Sequence, residues 1–161
     1  MLRPIRITTL AVALLALTAA SAPVRAKWPP WLSIESPVNP YDASVAGAIL
    51  LVHAAIRDGT PGIADLSGSA EGIVNGARRT IPLELRATSR AGVFAVRQQW
   101  PTEGTWLLRI TLASTTALVS LDRAGRVAGV SIPATYAEGR PIPRTVERRD
   151  VDSALAIAST H

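Results

Sequence analysis

The 161-residue chain has no cysteine, one methionine (the first residue) and only two histidines, His53 and His161. Composition alone therefore excludes a disulfide, a thiolate nucleophile and any cysteine-ligated zinc or iron–sulfur centre. Aromatic residues make up 4% of the chain, and Lys27 is the sole lysine among 17 basic side chains. The arginines are scattered and alternate with acids, without the clustered basic face and interleaved aromatics that nucleic acid requires, so no nucleic-acid partner is expected. There is no Gly-rich phosphate loop, and the nearest approach to a nucleophile elbow, Leu66-Ser-Gly-Ser-Ala70, lacks the leading glycine.

The longest apolar run lies at the start. Arg3 and Arg6 precede Leu10-Ala-Val-Ala-Leu-Leu-Ala-Leu17, and Val24-Arg25-Ala26 offers a small residue before a cut. This is the pattern of a secretory signal peptide over residues 1–26. The stretch from Ile7 to Ala22 is shorter than the ~20 residues that cross a bilayer. No integral membrane segment is expected once the leader is removed. The leader carries Arg3, Arg6 and Arg25 and no acid, so the mature chain would keep 135 residues with 14 basic and 12 acidic groups. The implied location is periplasmic or secreted. An exported domain of this size without disulfides has to be held by its core.

The hydrophobic share of 48% suits a folded domain. Leu32-Ser-Ile-Glu-Ser36 alternates apolar and polar residues and reads as a strand. Residues 46–57 are apolar on every side; Asp42 and Gly59 would suit helix ends, and a strand buried on both faces fits as well. The segment reads as a strand. Ser69 to Val74 leads into Asn75-Gly76, a strong hairpin signal, and Arg79 to Ala87 alternates with Ile81, Leu83, Leu85 and Ala87 on one face. Pro82 has no N–H to give a neighbour, which implies an edge strand or a bulge. Strands over Val93–Trp100, Thr105–Leu112, Ala117–Leu121 and Arg126–Ile132 follow, with turn signals every 8 to 12 residues or so, the spacing of a sandwich or barrel. Tyr136 to Arg149 is polar, with Pro141 and Pro143, and reads as extended or mobile. Asp150 to Ser159 reads as a short helix with Asp150 and Asp152 as candidate caps and apolar positions at Val151, Leu155 and Ala158.

The segment Gly92-Val-Phe-Ala-Val96 followed by Trp100-Pro-Thr-Glu-Gly-Thr-Trp-Leu-Leu-Arg-Ile110 resembles the last strands of YtkA-like and FixH-like periplasmic domains. These are immunoglobulin-type sandwiches related in shape to CopC-like proteins, with a G-x-[YF]-x-[VA] strand, a proline–glycine turn and G-x-W-x-L-x-[IV]. Leu50-Leu-Val-His53 falls where such domains have their second strand. The resemblance covers roughly residues 31–121 and is specific over about 20 of them. It implies a sandwich and an envelope location. Some relatives of these folds handle copper, which needs imidazole, thioether or thiolate donors. The mature chain would offer only His53 and the last residue, His161.

The fold expected is thus all-β: an immunoglobulin-like antiparallel β-sandwich over residues 27–135, then a polar tail with a short C-terminal helix over 136–161. His53 reads as a core or interface histidine bonded to the backbone. Trp28 and Trp31 are candidates for a sticky patch, or for packing on the adjacent sheet. Arg140, Arg144, Arg148 and Arg149 could meet an acidic partner, but the acids among them favour a solvated tail. No catalytic, cofactor-binding or metal-binding residue is assigned and no cofactor is expected. The expectation is a non-catalytic binding or accessory module with an unknown envelope protein as partner, acting through loops at one end or through the edge carrying Pro82. Copper handling is the alternative, disfavoured by the lack of Cys and Met.

Overall fold

The computed structural model describes residues 30–55 and 65–160. The leader, Trp28, Ile56, Arg57, Gly59 and His161 lie outside the described residues. The chain forms two antiparallel sheets packed face to face as an immunoglobulin-like sandwich, with one C-terminal helix. The first sheet has the order β1 (Trp31–Glu35), β2 (Leu50–Ala55), β6 (Val93–Val96), β5 (Arg86–Ala87). The second has the order β4 (Ala77–Pro82), β3 (Leu66–Val74), β7 (Thr105–Leu112), β8 (Thr115–Leu121), β9 (Val127–Ser131). A hairpin of β10 (Ala134–Ala137) and β11 (Arg140–Pro143) follows as its own two-stranded sheet, and α1 spans Arg148–Thr160.

Period-two alternation decides which side chains enter the core. Leu32 on β1, Leu50, Val52 and Ala54 on β2, and Phe94 and Val96 on β6 point inward from the first sheet. Trp106, Leu108, Ile110 and Leu112 on β7, with Ala117, Val119 and Leu121 on β8, meet them from the second. Trp106 can lie flat on the neighbouring strand because Gly72 is beside it in register. A Cβ at position 72 would stand 2.4 Å from the indole ring, too close for any real contact. Overpacking of this kind costs about 1–3 kcal/mol.

Several boundaries differ from the sequence expectations, each for a local reason. The strand in residues 46–57 begins only at Leu50, because Asp42 draws the preceding chain into a short 3-10 turn, Ala43–Val45, by accepting from the Ser44 N–H at 3.0 Å. The Arg79–Ala87 alternation is not one strand. Leu83 and Leu85 carry the chain from the second sheet to the first while packing on the core, and Ala87 is exposed. Strand β6 ends at Val96 rather than Trp100, although Trp100 is itself buried.

The tail is more structured than its composition suggests. The polar stretch expected to be extended or mobile is extended in part and turns back at Glu138-Gly139, both with positive φ, to make the β10–β11 hairpin. The helix starts before Asp150 and Asp152, so neither caps it. Asp150 sits at the third helical position and accepts from the Glu147 N–H at 2.8 Å, the reciprocal half of a capping box. Its carboxylate also takes two bonds of 2.7 Å from the Arg144 guanidinium. The buried positions Val151, Ala154, Leu155 and Ala158 follow the i, i+3, i+4, i+7 rule. Three of them, Val151, Ala154 and Leu155, pack on Leu107 and Leu118 of the second sheet's outer face. Ser120 Oγ donates to the Ala154 carbonyl at 2.8 Å, and Arg78 on β4 pairs with Asp152.

Arg144, followed by the Glu147 N–H, holds the Asp150 carboxyl down to about 2, against 3.8 for the ordinary group. The unfolded chain therefore takes up this proton first as pH falls. The stabilisation is complete above about pH 4 and is lost toward pH 2. Asp150→Asn should lower the melting temperature at pH 7, and its difference from the parent should close between pH 4 and pH 2 in thermal unfolding followed by circular dichroism.

Candidate interaction surface

Three parts of the surface bring together side chains that point to binding. The first is the outer face of the first sheet. His53 is opposite Ser33 in register, which places it diagonally between Trp31 and Glu35, on the face these β1 residues share. His53 Nε2 is 2.7 Å from Glu35 Oε2, and an Arg90 Nη2 lies 3.7 Å from the same oxygen. The expected backbone partner for His53 is thus replaced by a carboxylate, because the diagonal register brings Glu35 within reach. Elsewhere this face is closed by the 3-10 turn, with Val45 packing on Leu51, Val93 and Ala95. Trp31 remains 59% exposed. Among the described residues, no three of His, Asp and Glu converge as a metal site would require.

Two of the four tail arginines are held in ion pairs. Arg144 is engaged by Asp150 and by Glu147 at 3.5 Å, and Arg149 by Glu147 at 2.9 Å. No sequence signal marks Arg144 as reaching six residues along to order the helix start, since neighbouring opposite charges are usually solvated.

The second part is the pair of edges of the five-stranded sheet. Pro82 ends the edge strand β4. Leu83 N–H bonds Gly68 O at 2.9 Å, so the odd residues of β4 bond β3 and Arg78, Thr80 and Pro82 face outward. Pro82 therefore costs the ladder nothing and leaves an incoming strand without a donor. With Arg78 and Arg79 beside it, this edge is protected against pairing. The opposite edge, β9, carries no charge and no proline: Val-Ala-Gly-Val-Ser. A bulge at Ser120/Leu121 offsets its pairing with β8.

Exposed large apolar side chains recur along β9 and the elements that follow it. Val130 and Ile132 are followed by Tyr136 and Ile142 on opposite faces of the hairpin, and Ile157 of α1 approaches Gly129. A lone two-stranded hairpin is marginal in water, and this one exposes 77% of Tyr136.

The third part is a cleft of about 710 Å³ at the end of the sandwich where β1 and β8 finish and β9 begins. Ser36, Pro37 and Val38 form one wall and Ala124 to Val127 the other. Asp122 on its rim is committed to the turn. It accepts from the N–H groups of Arg126 and Ala124 and from Arg126 Nε, and the Arg126 backbone bond leads in holding its pKa low.

Comparison with protein-family models, with curated proteins and with solved structures found no match to this chain. Among the described residues, no helix is long and apolar enough to cross a membrane.

The His53–Glu35 pair is partly open, with side chains 25% and 35% exposed. Such pairs contribute about 0–1 kcal/mol. His53→Ala should shift the urea midpoint by no more than that allows, whereas a loss above about 2 kcal/mol would mark His53 as a packing residue of this face.

Proposed function

We propose that this chain is an exported, non-catalytic immunoglobulin-like module that binds another component of the bacterial cell envelope. The observation that carries the reading is the uneven surface: one sheet edge is guarded by arginines and proline, while the other is uncharged and continues into a hairpin with exposed Tyr136 and Ile142. Exposed apolar patches rimmed by polar residues mark interaction sites. Leader-like residues 1–26 and the resemblance of Gly92–Ile110 to YtkA-like and FixH-like domains support the envelope location. No observation favours the copper-handling alternative, since His53 meets a single carboxylate. The guarded β4 edge is the weaker of the two routes considered for recognition, and the β9 flank replaces it.

In-cell chemical crosslinking of the tagged mature chain, followed by mass spectrometry, should recover one dominant envelope partner. The double variant Tyr136→Ser/Ile142→Ser should lower that yield by about tenfold, equivalent to ~1.4 kcal/mol. Equal recovery from the double variant would place the contact elsewhere. No recovered partner at native abundance would contradict the binding-module reading.

A further inference from the structure

The two sheets do not match in width, and the mismatch leaves a place for one more strand. Four strands face five. Strand β1, the edge of the first sheet, packs under β8, and Thr115 Oγ1 at the start of β8 donates to the Pro30 carbonyl at 3.0 Å. Strand β9 therefore overhangs the sandwich beyond β1. Its register confirms this: Val130 pairs with Val119, whose side chain is fully buried in the core, so Val130 faces the same way, yet it is 48% exposed. Among the described residues nothing from the first sheet lies beneath it.

The edge of β1 supplies the complementary half. Ala54 N–H bonds Gly92 O at 2.8 Å, so the even residues of β2 bond β6 and the odd ones bond Trp31, Ser33 and Glu35 of β1. Leu32 and Ile34 then direct their N–H and C=O groups away from β2, off the open edge. The slot runs along this edge, under Val130, toward the 710 Å³ cleft that Val127, itself packed on the core, helps to line. Arg126 stands at that mouth with its side chain 80% exposed, bonded to Asp122 through Nε.

We propose that this slot accepts an extended segment of a partner protein, added as a strand to β1, with apolar residues under Val130 and a carboxylate at Arg126. The inference rests on the binding-module reading and specifies its mode. Strand addition uses main-chain bonds for affinity and alternate side chains for specificity. A second copy does not fit: pairing β1 with β1 about a two-fold axis would drive each β9 into the space above the other β1, where β8 already packs. The slot is one strand wide, which selects a lone extended segment. The Arg126 guanidinium, held to Asp122 through Nε and 80% exposed, lies at the end the segment would reach and turns its Nη groups to an acidic residue or a free C-terminus.

The test is amide hydrogen exchange on the purified mature chain with a set of nine-residue synthetic peptides that alternate Val or Leu with Thr and end in a free carboxylate. At least one peptide should slow exchange of the Leu32 and Ile34 amides about tenfold or more. Val130→Arg should abolish that protection, Arg126→Glu should weaken it, and Ile73→Arg, an exposed apolar position on the second sheet, should leave it intact. No protection from any peptide at millimolar concentration overturns the proposal. So does protection already present without peptide: concentration-dependent protection would assign the slot to a second copy, and concentration-independent protection to this chain's own residues. A crosslinked envelope partner whose recovery is unaffected by Val130→Arg would keep the binding-module reading and remove strand addition.

Discussion

The packing of two apolar sheet faces, with no covalent staple, is the constraint on which the rest of this structure depends. Without cysteine, the sandwich has to gain its stability from the burial of side chains such as Leu50, Val52, Leu108, Ile110 and Val119, all fully removed from water. That requirement fixes the alternation of every central strand. It also demands Gly72, which lets Trp106 fill the inter-sheet space against backbone. Phe94 meets the same core from the opposite sheet and Trp100 is buried in it, so all three aromatic residues of the Gly92–Ile110 segment serve packing.

The same constraint explains the tail. Leu107 and Leu118 point out of the second sheet and would be stranded in water if the chain ended at β9. The helix covers them, and the Arg144–Asp150 pair sets where it begins. A thirteen-residue helix is marginal alone. Its stability comes from the apolar stripe it lays on the sheet, with the ion pair acting as a positional device.

Much of this was legible in the residues. The Asn75-Gly76 hairpin, the inward set Trp106, Leu108, Ile110 and Leu112, the edge position of Pro82 and the terminal helix follow from alternation, turn chemistry and periodicity. What was hidden depends on contacts between segments distant in sequence. Leu83 and Leu85 look like more of the same strand, and only the opposing sheet reveals that the chain crosses there. Glu138-Gly139 is an uncommon turn pair, so the β10–β11 hairpin gave a weak signal. The Glu35–His53 contact needs the β1–β2 register. Nor does any local pattern announce the β9 flank: Val130 and Ile132 look like core residues until the first sheet proves one strand too narrow to cover them.

The central claim is that this flank is where the chain meets its partner. A photoreactive benzoylphenylalanine at position 130, compared in cells with the same group at position 73 on the protected side of the second sheet, tests it most directly. The account predicts a discrete heteromeric adduct from position 130 and none from position 73. An adduct from position 73 alone, or none from position 130, would contradict it.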